Sequence, residues 1–118
     1  MSRLILAVDT TSEYGSLALL RDEELIDEVL VHAPKGFAHL LYGHLAELLG
    51  RHALKIAEIA CFAAASGPGS FTGVRVGLAC VKGLAEAVSK QLGLRLEKRK
   101  RMLPVVVIDH MEEKPAEN

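Results

Sequence analysis

The first third of the chain contains three apolar segments separated by short polar turns. Residues 4–8 form a continuous apolar run, a pattern typical of a strand buried on both faces, and polar residues 9–12 end it. Residues 16–20 and 25–32 predict two further strands, which a polar turn at residues 21–24 connects. Because such short turns join adjacent strands, we expect three antiparallel neighbours.

Helical spacing begins after this region. Apolar residues recur at intervals of three and four over residues 37–49 and predict an amphipathic helix, with Gly50 as its C-cap. The apolar segment 58–65 is too short for a separate helix and predicts a fourth strand, and residues 72–89 predict a second helix. The order β-β-β-α-β-α predicts an α/β fold in which helices pack on a mixed sheet.

A glycine-rich loop, SGPGSFTGVRVG, joins the fourth strand to the second helix at residues 66–77. A phosphate cradle needs converging backbone N–H groups and a helix N-terminus, and this segment provides both in outline. It matches neither the GxGxxG dinucleotide motif nor the Walker A motif. A tight turn with Ser70 or Thr72 as the helix N-cap explains the loop as well. Both interpretations stay open.

Three glycines within the second predicted helix oppose helix formation. Gly73, Gly77 and Gly83 each cost about 1 kcal/mol relative to alanine, or roughly 3 kcal/mol together. Gly73 and Gly77 are four residues apart and share one face, where the lack of side chains lets another backbone approach closely. The spacing predicts close packing of this face, either on the sheet beneath it or on a helix of a second protein.

Composition limits the functional classes. A chain of 118 residues, half of them apolar, suits a single core. The formal charge of −1 argues against a molecule-wide surface for nucleic acid. Cys61 and Cys80 lie within apolar patterns and are expected to be buried, reduced thiols. No apolar run approaches the roughly 20 residues that span a bilayer, so we expect a soluble, cytoplasmic protein without membrane association.

No catalytic or metal-binding constellation is predicted. His39 and His44 lie on the first predicted helix, but a spacing of five residues separates them by about 140° around its axis, so they do not converge on one ion. Ser66, Ser70 and Thr72 lack a GxSxG nucleophile elbow. A hydrolase mechanism is therefore not expected.

Three segments in combination resemble the TsaB (YeaZ) family. They are DTTSEYGSLAL at residues 9–19, a helix opening after APKG at residues 33–36, and SGPGSFTGVRVGLACVKGLAEAV at residues 66–88. The resemblance covers about residues 3–90. It implies an actin-like, ribonuclease-H-like lobe and a relation to the glycoprotease-like family that includes TsaD. It also implies a noncatalytic accessory subunit that supports TsaD in making threonylcarbamoyladenosine in tRNA.

The resemblance also suggests a division of the chain. Residues 1–90 are expected to form the N-terminal lobe, and residues 91–118 an atypical basic segment with a strand at 103–108 and a disordered tail. Members of the family are about twice as long and carry a second lobe, so we interpret the chain as the first lobe only, by truncation, deletion or frameshift. The basic cluster at residues 98–101 fits contact with tRNA or a solvated linker.

The first turn corresponds to the phosphate-and-magnesium hairpin of actin-like ATPases. Here Gly15 follows Asp9 by six residues, and the resemblance places half of a nucleotide site in the second lobe. We therefore expect no required cofactor, with ATP or ADP bound only within a complex. The alternative function is a nucleotide-binding actin-like ATPase or kinase-type enzyme. The candidate phosphate contacts are Asp9, Thr10, Thr11, Gly67, Gly69, Ser70 and Thr72.

The resemblance implies protein partners as well. TsaB helices form a bundle with a matching pair on TsaD, the ATPase TsaE joins that pair, and tRNA is bound indirectly. The wide apolar stripe of the first helix and the glycine face of the second suit such docking, although the family usually has a histidine where Phe37 stands. Without TsaD, a homodimer through the same faces is expected. The predicted interface residues are Phe37, Leu41, Leu45, Leu48, Val74, Gly77, Val81 and Leu84.

Overall fold

The fold is a mixed β-sheet with two helices. A computed structural model describes residues 3–92, 95–100 and 105–111, with side chains for residues 3–90. The elements in these ranges are strands β1 (Leu4–Asp9), β2 (Tyr14–Arg21), β3 (Glu24–His32), β4 (Cys61–Ala65), β5 (Arg95–Lys100) and β6 (Val105–Met111), helices α1 (Leu41–Arg51) and α2 (Phe71–Leu92), and a 3₁₀ turn (Ile56–Glu58).

The strand order in the sheet is β3-β2-β1-β4-β6-β5. Strands β1, β2 and β3 are antiparallel neighbours, as predicted, whereas β4 runs parallel to β1. The β1–β4 register pairs Val8 with Ala64, so the carboxyl ends of these two strands lie side by side. The loops that follow them therefore meet at one edge of the sheet, which is where the candidate phosphate residues occur.

The hydrophobic core lies between one face of the sheet and the two helices. Burial alternates along β1 and β2, because successive strand side chains point to opposite faces. The side chains of Leu6 and Leu19 are completely buried on the helix-covered face. The helices contribute Leu41, Leu45, Leu48, Leu49, Val81, Ala85 and Val88 to the same core.

The first helix starts later than predicted. Helix α1 begins at Leu41, not at residue 37, and is preceded by a turn in which the Phe37 carbonyl accepts hydrogen bonds from the N–H groups of Leu40 and Leu41. The Phe37 side chain is nevertheless buried, so its apolar character continues the helical pattern without a helix. The helix ends at Arg51 with His52 as C-cap, which leaves Gly50 inside the last turn and contradicts its predicted role.

The remaining elements also differ from the prediction at their ends. Strand β4 starts at Cys61, not at residue 58, because the Glu58 carboxylate accepts the Lys55 N–H at 2.9 Å and closes the 3₁₀ turn before it. Helix α2 extends the predicted range of 72–89 by one residue at its start and three at its end.

The basic segment joins the sheet. Strand β6 overlaps the predicted strand at 103–108 and pairs antiparallel with β4. Strand β5 includes three residues of the cluster at 98–101, where a solvated linker was one interpretation. The predicted tail at 112–118 lies outside the described residues. Neither helix in the described ranges combines the length and the apolar composition that crossing a bilayer requires.

Candidate functional site

Two loops meet at the end of the sheet where strands β1 and β4 have their carboxyl ends. The turn after β1 and the glycine loop after β4 are joined directly, since the Ser70 N–H donates to the Thr11 carbonyl at 2.7 Å. The Thr10 hydroxyl donates to the Gly73 carbonyl at 2.6 Å, and Thr10 is 1% exposed. These bonds hold the start of α2 against the first turn of the chain.

Glycines make this close approach sterically feasible. A Cβ atom at Gly69 would overlap the Thr11 carbonyl oxygen, and one at Gly73 would overlap the Thr10 carbonyl oxygen. A Cβ atom at Gly77 would overlap the Thr10 hydroxyl. The predicted close packing of the glycine face is confirmed, and its neighbour is the first turn of the same chain. This contact accounts for two of the three glycines in the helix.

Most candidate phosphate contacts have structural hydrogen bonds. The Asp9 carboxylate accepts from the Thr11 N–H at 3.0 Å and from the Thr11 hydroxyl at 2.7 Å, which closes an Asx-type turn. The Ser70 hydroxyl accepts the Gly73 N–H at 3.1 Å, so Ser70 is the N-cap of α2, as one of the two interpretations predicted. In the described residues, this region works as a tight junction between two loops.

An open cavity of about 510 Å³ lies beside the N-terminus of α2. Ser70 and Thr72 line it, together with Lys35 from the turn before α1, whereas the other five candidate phosphate residues are not part of its lining. A helix N-terminus and a lysine both favour anions, whereas Glu13, which also lines the cavity, opposes them. The sequence interpretation missed Lys35, although its position in the APKG turn at the opening of the first helix was a usable signal.

The predicted interface residues do not form an exposed surface. Phe37, Leu41, Leu45, Leu48 and Val81 are at most 6% exposed, because α1 and α2 use these side chains to cover the sheet. Three others complete the predicted set: Gly77 is buried against the first turn, and Val74 and Leu84 are half-buried. These side chains are therefore core residues, and a partner that docks on the helices must contact their opposite side.

Away from the core, the helices expose small residues and two aromatic rings. Tyr42 is 52% exposed and Phe71 is 73% exposed, with the Arg75 guanidinium 5.0 Å from the Phe71 ring centre. Gly43 and Gly83 have open space where a side chain would stand. We call this region the outer helix surface, defined by Tyr42, Gly43, Ala46, Phe71, Ala79 and Gly83.

A contact between Tyr42 and Cys80 connects the two helices beneath this surface. The Tyr42 hydroxyl forms a hydrogen bond with the Cys80 thiol. Burial is the larger cause that raises the pKa of Tyr42, and the neighbouring Cys80 is the smaller one. Burial also raises the pKa of Cys80. Both groups are therefore neutral at physiological pH. Cys61 and Cys80 are buried free thiols, as predicted.

Metal-ligating residues do not cluster in the described part of the chain, where no group of three His, Cys, Asp or Glu side chains could hold an ion. His39 is exposed in the turn before α1, and the His44 ring lies 3.7 Å from the Glu47 carboxylate. His52 is bonded to Asp27 at 2.8 Å. The histidines near α1 thus have separate surroundings.

Comparison with protein families and curated relatives gives a consistent result. Residues 32–93 match the model of the TsaD family, described as tRNA N6-adenosine threonylcarbamoyltransferase, and residues 78–111 match a family of unknown function, DUF3738. TsaB of Bacillus subtilis is 33% identical over 81 residues, and TsaB of Haemophilus influenzae is 39% identical over 83. Each match covers 69% of this chain, which spans about a third of the length of these relatives.

Solved structures support the same relationship. YeaZ from Pseudomonas aeruginosa superposes with a TM-score of 0.67 at 26% identity, covering 85% of this chain and 56% of that protein. A second Pseudomonas aeruginosa structure, described as similar to peptidase YeaZ, has the same TM-score at 23% identity and supports the fold. The α/β, actin-like fold class is confirmed. The TsaD family match spans more than half of the chain, which therefore belongs to the TsaD family and is similar in sequence and fold to TsaB (YeaZ) proteins.

Proposed function

We propose that this chain is a noncatalytic accessory subunit in the formation of threonylcarbamoyladenosine in tRNA and that it acts by binding the catalytic subunit TsaD. Its curated relatives are named as biosynthesis proteins of this modified nucleoside. The observation that carries the proposal is the outer helix surface, on which Tyr42 and Phe71 are exposed and Gly43 and Gly83 face open space.

The loop junction gives this surface a fixed position. Thr10 bonds to Gly73, and the glycine face of α2 packs directly on the first turn, so α2 has little freedom to shift on the sheet. Small outward residues let a partner helix approach closely, and the exposed aromatic rings provide apolar area to bury. In this proposal, the residues predicted to contact phosphate instead hold α2 in position, and α2 provides part of the docking surface for TsaD.

The other partners follow from this arrangement. TsaE would join the pair formed with TsaD, tRNA would be bound through TsaD, and ATP or ADP would be bound only in the complex. Without TsaD, a second copy of the chain would dock on the outer helix surface and give a homodimer. TsaD and the second copy would then compete for one site.

A nucleotide-binding enzyme is the second candidate function. It is favoured by the cavity of about 510 Å³ that Lys35 and the start of α2 line together. Calorimetric titration with ATP and magnesium distinguishes the two functions. Micromolar affinity of the isolated chain would favour the enzyme, whereas an accessory subunit is expected to bind nucleotide weakly or not at all.

Reconstitution tests the accessory function. TsaD, TsaE and tRNA of the same organism are assayed for threonylcarbamoyl transfer with and without this chain. We expect transfer to depend on the chain and the chain alone to show no turnover. Turnover by the chain alone, or full transfer in its absence, would refute the proposal.

A further inference from the structure

The two edges of the sheet carry opposite charge. Among the described strands, β3 and β5 are the outermost of the sheet. Residues 22–28, in β3 and the turn before it, contain five acids and no base. Strand β5, with the sequence RLEKRK, contains four bases and one acid. The acids of the first segment and the bases of β5 therefore lie at opposite edges of the described sheet.

The acidic edge also exposes apolar side chains. Leu25 and Leu30 of β3 are 55% and 77% exposed. Within the described residues β3 pairs with β2 on one side, and its other side is free of strands over nine residues. An exposed edge with apolar side chains is a template for pairing with a further strand.

Charge decides which strand can occupy that edge. Two β3 edges paired in parallel would oppose acid to acid, and two β5 edges paired in the same way would oppose base to base, both of which destabilise pairing. A β3 edge facing a β5 edge would oppose acids to bases. The strand that complements the acidic edge is therefore present in every copy of the chain, at the opposite end of the sheet.

We propose that copies of this chain associate head to tail, with the basic strand β5 of one copy paired to the acidic strand β3 of the next. Strand β3 has the direction of β1, because β2 lies between them and is antiparallel to both. Strand β5 has the direction of β4, because β6 lies between them and is antiparallel to both. Since β1 and β4 are parallel, β3 and β5 run in the same direction. A copy related by translation would thus add a parallel strand pair and continue the sheet.

The association is open-ended. Each added copy leaves one acidic and one basic edge free, so the contact does not close into a dimer. The outer helix surface lies on a face of the sheet and stays accessible, so the proposal is independent of TsaD binding. Association is expected to increase with protein concentration and to weaken with salt, since exposed charges are screened within about 10 Å at 0.1 M ionic strength.

Charge exchange between the edges tests the proposal. One variant changes Glu23, Glu24 and Glu28 to Lys, which leaves the paired Asp27 intact. The other changes Lys98, Arg99 and Lys100 to Glu. Light scattering measures the mass of the nuclease-treated full chain and of both variants at rising concentration. We expect the unchanged chain to grow beyond the dimer that the outer helix surface would form, each variant alone to stop at that dimer, and an equimolar mixture to grow further, because the exchanged edges again complement each other.

Matched controls separate this contact from other causes. Changing Glu47 and Glu86 to Lys alters two exposed acids on the helices and should leave the open-ended growth through the sheet edges unchanged. Circular dichroism verifies that the variants fold, and salt titration of the unchanged chain tests the charge dependence without any variant. No growth beyond a dimer at any concentration, growth that both variants retain, or association that nuclease abolishes would each overturn the proposal.

Discussion

A single buried hydroxyl explains the position of the second helix. Thr10 donates to the Gly73 carbonyl from a site that is 1% exposed, and its own atoms occupy the space that side chains at positions 73 and 77 would need. The sequence spacing alone predicted that this face packs closely. It could not identify the neighbour, because a glycine face suits a sheet, a loop or a foreign helix equally well.

Two glycines of the same helix are expected to respond in opposite ways to alanine. Gly77→Ala places a methyl group against Thr10 and should destabilise the fold by about 1–3 kcal/mol. Gly83→Ala adds a methyl group in open space and should stabilise it by about 0.5–1 kcal/mol through helix propensity. Urea unfolding of both variants measures the difference. Equal stabilisation by the two would show that the face at Gly77 is not packed.

The junction of α1 with β3 shows how the elements are fastened at their ends. Asp27 of β3 accepts from the His52 ring at 2.8 Å and from the Arg51 guanidinium at 3.2 Å. The hydrogen bond with His52 has the largest effect and holds the pKa of Asp27 below its usual value of 3.8. The hydrogen bond from the Glu28 N–H has the second-largest effect in the same direction. Helical periodicity could not foresee this junction, because it joins polar residues that are 25 positions apart.

The lowered pKa of Asp27 predicts a pH-dependent stability. The ionised carboxylate stabilises the fold fully above its unfolded pKa, and this contribution is lost as the pH falls through the lower folded value. Asp27→Asn should therefore lower the free energy of unfolding at neutral pH, with the difference from the unchanged chain disappearing in acid. Urea unfolding across this pH range provides the measurement. Glu86→Gln on α2 is the control, and an effect of Asp27→Asn that persists in acid would contradict the assignment.

At the scale of the whole molecule, apolar periodicity predicted most of the fold and little of the surface. The four strands and two helices of the first 90 residues were correctly predicted, because alternation and helical spacing record which faces are buried. Leu41, Leu45 and Leu48 were assigned to a partner although they are core residues, since periodicity cannot tell what covers an apolar face. The sequence did not predict that the rings of Tyr42 and Phe71 are exposed, because periodicity does not tell which apolar side chains stay uncovered.

Calorimetric titration of TsaD with variants of the outer helix surface tests the central claim most directly. Ala46→Arg adds a charge to this surface, and Leu30→Arg adds the same charge to an exposed position on β3. We expect Leu30→Arg to bind TsaD like the unchanged chain and Ala46→Arg to bind at least about tenfold more weakly, a loss of about 1.4 kcal/mol. Equal affinity of Ala46→Arg and the unchanged chain would contradict this claim.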